Sequence, residues 1–426
     1  MAVTVTTKQG YGSRIGGAFK GILSGIIAIV IGIVLLWWNE GRTVKRAKAL
    51  NEGGKAVIPV QSDIVDAAND GKLIHTTGKT EVFADLVDSD FGITIPKGIQ
   101  LERIVEMYQW VEESESKQEK KLGGSVETTT VYTYSKAWMK SIVDSSSFKE
   151  EGHDNPVVNP VPEKNIYASS VALGAFQLTA SQIQSIGQKR DYLVPQDIKL
   201  PKLPDPAYDE GRIVNGQIYY SVKNNDIAAA LANKAAEAAV EAVDKAVEKV
   251  TNDEQSVTPQ ASVAANQTAR AAQIGDIRIS FKVVEPHDIS VVAQQTGNTF
   301  CVYQAKTGTI SFLRDGIHSA EEMFQSAKSA NKFMAWLLRF IGFIIIYGGF
   351  KSLLSLASVL ADVVPFIGNI VGAATSFVSF LLALPIALLV IALAWLFYRP
   401  VLAICLLVIV VGSIIALVKV FPKKKA

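Results

Sequence analysis

Hydrophobic residues are concentrated in two blocks at the ends of the chain. In the first block, residues 15–38 carry a single charge, Lys20, and end in Trp37-Trp38. A helix of this length covers about 36 Å, more than the roughly 30 Å of a bilayer core, and paired tryptophans favour the headgroup level. A cleaved signal peptide would have a shorter apolar region. The pattern therefore predicts a retained transmembrane helix over 15–38.

The second apolar block runs from residue 333 to residue 420 and is interrupted at polar positions. We expect three further transmembrane helices, at 333–351, 367–398 and 401–420. Arg399-Pro400 predicts a tight turn, and residues 352–366 repeat leucine and alanine as in an amphipathic interfacial segment. Polar side chains are costly in lipid, so those near these spans are candidates for functional or packing roles. They are Arg339, Lys351, Asp362, Asn369 and Arg399.

The region between the two blocks, residues 39–332, has the alternation typical of strands. Residues 99–111 place apolar side chains at alternate positions, and "VETTTVYTYSKAWM" is rich in β-branched and aromatic residues. Near the end of the region, "GDIRISFKVV", "DISVVAQQ", "TFCVYQA" and "GTISFLR" suggest an antiparallel meander, whereas the Pro-rich stretch 155–206 predicts mostly loop. We therefore predict an α+β extracytoplasmic domain with a four-helix transmembrane region, formed by one N-terminal span and three C-terminal spans plus the interfacial helix.

The charge distribution indicates an orientation. Lys8, Arg14 and Lys20 lie at the start of the first span without any acid, and residues 421–426 form a lysine-rich tail. By the positive-inside rule, we expect residues 1–14 and the tail to be cytoplasmic and the domain to face the other side.

A cluster of aromatic and basic residues follows the first span. Its members are Trp37, Trp38, Arg42, Lys45, Arg46 and Lys48. The basic side chains are expected on a helix that Gly53-Gly54 can end, where each would attract anionic headgroups by about 1 kcal/mol. We expect a collar that contacts membrane lipids. Alternatively, Glu40 pairs with Arg42 or with polar groups of another span.

Glycines mark one stripe of the first span. Gly17, Gly21 and Gly25 repeat at every fourth position, and Gly32 follows seven residues later. A stripe without side chains lets another helix approach closely. The partner helix can belong to the same bundle or to another subunit.

A strongly helix-forming segment, residues 227–250, interrupts the strand-rich region. Val240, Val243, Val247 and Val250 repeat at three-four-three spacing on it. Its valines could pack against a second copy and support a homo-oligomer, or the helix could lie on the sheet of its own domain.

Candidate chemistry is sparse. The two cysteines and four histidines show no metal-ligand spacing, no nucleotide fingerprint appears, and no catalytic residue, cofactor, metal or nucleic acid is expected. His153 and His287 each precede an aspartate, but turn and cap roles suit them better than catalysis. Residues 112–121 read as a solvated hairpin tip, and Ser319 with Glu322 forms a predicted capping box that begins a helix running into the second span.

Several segments resemble the transmembrane protein 43 family, also called LUMA. They are "WWNEGRTVKRAKALNEG", "YTYSKAWMKSIVDSSSFKEEGHDNP", "GDIRISF", "SVVAQQTGN", "SAEEMF" and "AWLFYRP", in that order along most of the chain. The resemblance implies a four-span protein with a large non-cytoplasmic domain that organises membrane protein complexes as an oligomer. It implies the endoplasmic reticulum or inner nuclear membrane in a eukaryote. A bacterial member would lie in the cytoplasmic (inner) membrane with a periplasmic domain.

The first hypothesis for function is a non-enzymatic membrane scaffold that self-associates and organises lipids or other membrane proteins through its extracytoplasmic domain. The alternative is a sensor or transport component in which the helix from Ser319 couples the domain to the polar residues of the spans. A membrane-bound enzyme using His153 or His287 is the third and weakest hypothesis.

Overall fold

The computed structural model describes residues 2–223, 271–401 and 404. Within these residues the α-helices are α1 (Tyr11–Ala56), α2 (Ala180–Ser185), α3 (Ala320–Ala361) and α4 (Pro365–Tyr398). Among them, α1, α3 and α4 are long and apolar enough to cross a membrane. The predicted span at 401–420 and the Ala-rich segment 227–250, with Val240, Val243, Val247 and Val250, lie outside the described residues, apart from positions 401 and 404.

Two helix boundaries differ from the expectation. The glycines at 53 and 54 do not end α1, which continues to Ala56 because its helical hydrogen bonds continue to Val57. A separate interfacial helix over 352–366 was also expected, but α3 runs without a break through Lys351 to Ala361. No glycine or proline interrupts 352–361, so the backbone has no reason to stop there. In contrast, α4 begins at Pro365 and ends before Arg399, close to the predicted limits.

Among the described residues, strands from residues 2–9 and from the region between the apolar blocks form two larger sheets. In the first sheet the strand order is β1 (Ala2–Gln9), β7 (Val126–Met139), β6 (Gln100–Lys120), β14 (Ile277–Val284), β13 (Gln217–Tyr220) and β12 (Arg212–Val214), with β8 (Lys164–Tyr167) on β6 and β11 (Arg190–Tyr192) on β14. In the second sheet the order is β19 (Phe312–Asp315), β15 (Asp288–Thr296), β16 (Thr299–Cys301), β10 (Phe176–Gln177), β9 (Ala172–Leu173), β3 (Leu73–Glu81) and β2 (Ile58–Pro59). Two small hairpins complete the set, β4 (Leu86–Asp88) with β5 (Ile93–Ile95) and β17 (Tyr303–Ala305) with β18 (Gly308–Ile310).

The predicted strand over 126–139 and the loop character of 155–206 are confirmed, whereas the predicted meander forms only in part: β15 pairs with β16 and β17 pairs with β18 in antiparallel fashion. Although β14 and β15 are consecutive, they belong to different sheets. β15 is almost fully buried, and the alternate apolar side chains of β14 pack with it in one core between the two sheets. The burial pattern of a strand shows which face is inside but does not identify the strand it pairs with.

A smaller core joins the domain to the helices. Leu50 of α1 and Phe324 of α3 are buried against Leu73, Val292 and Ile310 of the domain. Gly53 lies so close to Ile310 that an added Cβ would stand 2.2 Å from its Cδ1 atom, so only glycine fits there. The domain is therefore packed directly onto the ends of two long helices.

The N-terminal residues do not lie apart from the domain as expected for segment 1–14. Residues 2–9 form β1, which pairs with β7 along its whole length. Residues 112–120, expected in a hairpin tip, extend β6 instead, and the turn lies at 121–125. Residues 2–9 and 112–120 both pair with β7. Their Thr, Ser and charged side chains suit a strand whose faces contact water.

The turn of this long hairpin contacts the far ends of the helices. Arg14 donates to the carbonyl oxygen of Gly124 at 2.7 Å and also pairs with Asp362, which follows α3. Lys120 binds the same Asp362 carboxylate at 2.7 Å. The hairpin thus runs from the domain core, beside the apolar helices, to the start of α1.

Candidate membrane-interface site

Glu40 lies fully buried where the three long helices meet. Its carboxylate accepts hydrogen bonds from Arg339 Nε of α3 at 2.6 Å and Nη2 at 3.0 Å, and from Trp395 Nε1 of α4 at 2.8 Å. A buried carboxylate is stable only with such partners, and the two-pronged arginine contact is the strongest of them. The Arg339 guanidinium also lies 4.8 Å from the centre of the Trp336 ring. Glu40 therefore links α1 to both other helices.

Asn39 and Arg42 extend this polar cluster towards the domain. Asn39 Nδ2 donates to the carbonyl oxygen of Ala335 at 3.0 Å, and Asn331 Nδ2 donates to that of Thr43 at 3.0 Å. Arg42 makes only long bonds of 3.4 Å, to Asn331, Asn39 and Thr43, and its buried Nε atom has no partner in the described residues. The cluster is well satisfied except at Arg42.

A groove of about 630 Å³ opens beside this cluster, where α1, the end of α4 and the β17–β18 hairpin meet. It is lined by Ile33, Val34, Trp37, Trp38, Gly41, Arg42, Lys45, Arg46, Thr307, Gly308, Thr309 and Tyr398. An added Cβ at Gly41 would stand 2.7 Å from Tyr398 Cζ, so glycine is what lets the tyrosine ring form one wall. The groove is apolar at its helix end and basic at its domain end.

The predicted interface residues converge on this groove, with one exception. Trp37, Trp38, Arg42, Lys45 and Arg46 line it, whereas Lys48 is exposed and does not. Arg46 also donates to the carbonyl oxygen of Thr309 at 2.5 Å, which ties α1 to the β18 strand.

The glycine stripe packs against α3 of the same chain. An added Cβ would stand 2.7 Å from the carbonyl oxygen of Gly349 at Gly25, 2.6 Å from Ile346 Cγ1 at Gly32, and 3.0 Å from Ser352 Oγ at Gly21. At Gly17 it would meet nothing within 4 Å of the described atoms. The structure thus brings three of the four glycines into an intrachain helix contact.

The predicted polar residues of the spans do not form one cluster. Arg339 binds Glu40, whereas Asp362 lies at the other end of α3 with Arg14 and Lys120. Lys351 and Asn369 are exposed, and Arg399 lies 5.9 Å from the centre of the Trp395 ring. These residues mark separate contacts along the helices.

His153 and His287 occupy packing positions. The His153 ring lies between Trp110, at 4.4 Å between ring centres, and Tyr134, at 4.1 Å. His287 Nε2 binds Asp315 at 3.0 Å, not the adjacent Asp288. In the part of the chain that the structure describes, neither imidazole bonds a Ser, Thr or Cys side chain, and no group of metal-ligating residues occurs.

Sequence reasoning missed the residues that complete the site from distant segments. Asn331, Trp395 and Tyr398 have no local pattern that distinguishes them from ordinary helix residues. The glycines of α3 did carry a signal, because Gly342 and Gly349 repeat the seven-residue spacing of Gly25 and Gly32 and contact them in antiparallel order. A spacing shared by two spans could therefore have identified the partner helix.

Comparisons with known proteins agree with this architecture. The family model of Transmembrane protein 43 matches residues 107–400. Transmembrane protein 43 of Rattus norvegicus is 29% identical over 93% of this chain and 89% of its own length, and the human protein is 28% identical over the same shares. The Transmembrane protein 43 homolog of Drosophila melanogaster is 28% identical over 90% of each chain. No solved structure is a significant match. The chain belongs to the transmembrane protein 43 family.

Proposed function

We propose that this protein is a non-enzymatic multi-pass membrane scaffold that self-associates and organises lipids or other membrane proteins. In this proposal the bilayer surrounds the apolar parts of α1, α3 and α4, and the sequence of residues 401–420 predicts a fourth span. The domain lies on the extracytoplasmic side, at the end of α1 marked by Trp37 and Trp38. The lysine-rich tail at 421–426 favours this orientation.

The observation that carries self-association is a polar sheet at the same level as the apolar helices. Beyond Met107, residues 108–120 of β6 extend about 43 Å at about 3.3 Å per residue, which exceeds a bilayer core. They pair with β7, which pairs with β1, and the turn at 121–125 contacts the start of α1. Three polar strands thus run alongside helices whose exposed surface is apolar.

Such a sheet cannot face lipid. The outer edge of β1, and the edge of β6 beyond Trp110 that faces away from β7, have no strand partner among the described residues, and unpaired backbone groups each cost several kcal/mol in hydrocarbon. The charged run from Glu112 to Lys121 adds further cost. The sheet must therefore be covered by protein or line a water-filled space. Further copies of the chain, placed edge to edge, would cover the strand edges and could enclose a water-filled space between their sheets.

The mass of the particle tests this proposal. Purified in a mild detergent or in nanodiscs, the protein should give a protein mass that is a multiple of the 46.0 kDa chain, by native mass spectrometry or light scattering. Chemical crosslinking in the original membrane should give the same number of copies. A particle that is monomeric under all three conditions would contradict the proposal.

The sensor or transport hypothesis has less support. It needs the polar residues of the spans to lie along one path, but Arg339 and Asp362 lie near opposite ends of the apolar part of α3 and are neutralised by separate partners. One observation favours it: the capping box of Ser319 and Glu322 begins a single helix that continues to Ala361 and so connects the domain to the apolar region.

A further inference from the structure

The groove beside Glu40 has an excess of positive charge. Arg42, Lys45 and Arg46 line it, and within residues 2–223 and 271–401 no carboxylate forms an ion pair with any of the three. The Nε atom of Arg42 is buried without a hydrogen-bond partner. Three neighbouring cations repel one another, and a buried donor without an acceptor costs about 1 to 3 kcal/mol. The site is therefore built for an anion with several acceptor oxygens.

The other end of the groove indicates what is attached to that anion. Ile33, Val34 and Trp37 form its apolar wall, and it adjoins a second depression of about 350 Å³ on the surface of α1. That depression is lined only by Val30, Ile31, Val34, Leu35 and Trp38. A continuous apolar track thus leads from the basic end along the bilayer-facing side of the helix.

We propose that this groove binds an anionic phospholipid, with the headgroup phosphate between Arg42, Lys45 and Arg46 and an acyl chain along the track to Val30. Guanidinium and ammonium groups suit phosphate oxygens. Thr307, Thr309 and Tyr398 also line the groove and would enclose the headgroup. An acidic peptide would satisfy the charges but would have to place its continuation in hydrocarbon.

This inference deepens the proposed function, because a lipid held at the junction of α1, α4 and the domain is one that the scaffold would organise. It does not depend on self-association. Measuring the particle mass on the same samples separates the lipid site from self-association. An oligomer that does not bind the lipid overturns this inference alone. A monomer that binds the lipid overturns only the proposal of self-association.

The test compares two short-chain lipids on the full-length protein. Dioctanoyl phosphatidylserine and dioctanoyl phosphatidylcholine are titrated in detergent, and binding is followed by tryptophan fluorescence and by the rise in melting temperature. Both lipids carry the phosphate, but the trimethylammonium group of phosphatidylcholine adds a further cation beside Arg42, Lys45 and Arg46, so we expect phosphatidylserine to bind at least about tenfold more tightly. Equal affinities for the two lipids would overturn the inference.

Charge-removing variants locate the site. Lys45→Gln should weaken phosphatidylserine binding about tenfold. Lys45 is the variant of choice because its side chain makes no hydrogen bond or ion pair in the described part of the chain, so the fold does not depend on it. Lys48→Gln is the matched control, since Lys48 has the same charge on the same helix but lies outside the groove. An equal loss of phosphatidylserine affinity in both variants would show a diffuse attraction to the basic surface and would overturn the assignment of the lipid to this groove.

Two further probes distinguish other anions. Inorganic phosphate and a poly-glutamate peptide are titrated as competitors of phosphatidylserine. We expect phosphate to compete only at far higher concentration and the peptide not to compete. Phosphate that binds as tightly as the lipid would assign a free-anion site, and a peptide that displaces the lipid would assign a protein partner; either result overturns the inference.

Discussion

The side chain of Glu40 is the clearest target for a single substitution. Glu40→Gln keeps the shape but removes the charge that neutralises Arg339, whose side chain is only 12% exposed. Breaking a buried ion pair by removing one partner costs about 3 to 5 kcal/mol, because the other charge stays behind. We expect the free energy of unfolding to fall by about that amount, measured by chemical denaturation in detergent.

Two comparisons make that measurement specific. Glu321→Gln removes an exposed carboxylate of the first turn of α3 and should change stability little. The double variant Glu40→Gln with Arg339→Gln should lose less than the two single losses added together, because both remove the same contact. A Glu40→Gln protein as stable as Glu321→Gln would show that the pair does not hold the helices together.

His75 predicts a dependence of domain stability on pH. Burial lowers the pKa of its imidazole below the usual value, although the bond from Nε2 to the carbonyl oxygen of His318 partly opposes this. The unfolded chain therefore binds the proton more readily than the folded one. Stability from this group is fully present above about pH 6.5 and is lost as the pH falls towards the lowered folded value.

The measurement is the melting temperature of the detergent-solubilised protein between pH 7.5 and pH 5.5, with His75→Gln as the comparison. The glutamine amide can still donate to the His318 carbonyl but does not titrate. We expect a smaller fall in melting temperature for the variant than for the wild type. An identical fall in both proteins would assign the pH dependence to other groups.

At the residue scale, sequence reasoning identified positions better than partners. The order of Trp37, Trp38, Arg42 and Lys45 after an apolar run predicts that they lie near the membrane surface, and such a prediction is possible because hydropathy is a local property. Which residues they contact is set by packing between distant segments: Arg339 and Trp395, which bind Glu40, lie 299 and 355 positions from it. No local sequence pattern predicts that these residues contact one another.

Among the elements, the contact between α1 and α3 gives a prediction with an internal control. Gly25→Ala would place a methyl group 2.7 Å from the carbonyl oxygen of Gly349, a backbone atom that cannot move aside without shifting the helix. Such overpacking costs about 1 to 3 kcal/mol. Gly17→Ala meets nothing within 4 Å and gains up to about 1 kcal/mol of helix propensity, so it should be neutral or stabilising.

Thermal and denaturant unfolding of the two variants in the same detergent would check this difference. The glycines lie eight positions apart on one helix, so they share the backbone effect of the added methyl group and differ in what that group meets. If both variants unfold at the same point, the close approach of α1 to α3 is not what the glycines provide.

Element boundaries were predictable where a local breaker exists. Arg399-Pro400 ends α4 as expected, and the Ser319–Glu322 capping box was confirmed at the start of α3. The continuation of α3 through 352–361 could not be predicted, because amphipathic residues suit both a separate helix on the membrane surface and a longer one. α3 ends shortly before the local breaker Pro365, and Asp362 at this end is held by Arg14 and Lys120 from other elements.

For the whole molecule, sequence reasoning found the division into apolar helices and a β-rich domain but not the path of the strands. Residues 2–9 carry Val and Thr in alternation, which is compatible with a strand, but their partner β7 begins more than 100 positions later. Because β1 pairs with β7, residues 2–9 cannot lie apart from the domain as a separate cytoplasmic segment. Any arrangement in a bilayer must therefore account for the polar sheet beside the helices.

That requirement gives the last prediction, that the hairpin contacts water at the depth where the helices contact lipid. In a background with Cys301→Ser and Cys405→Ser, Ser114→Cys introduces a thiol on an exposed position of β6. In proteoliposomes it should react quickly with a charged, membrane-impermeant thiol reagent, because thiolates form only where water is present. Ile27→Cys, on the exposed apolar face of α1, should react far more slowly. If the thiols at 114 and 27 are equally unreactive, residue 114 does not contact water. The prediction is then wrong, and the polar sheet is separated from lipid by something other than water.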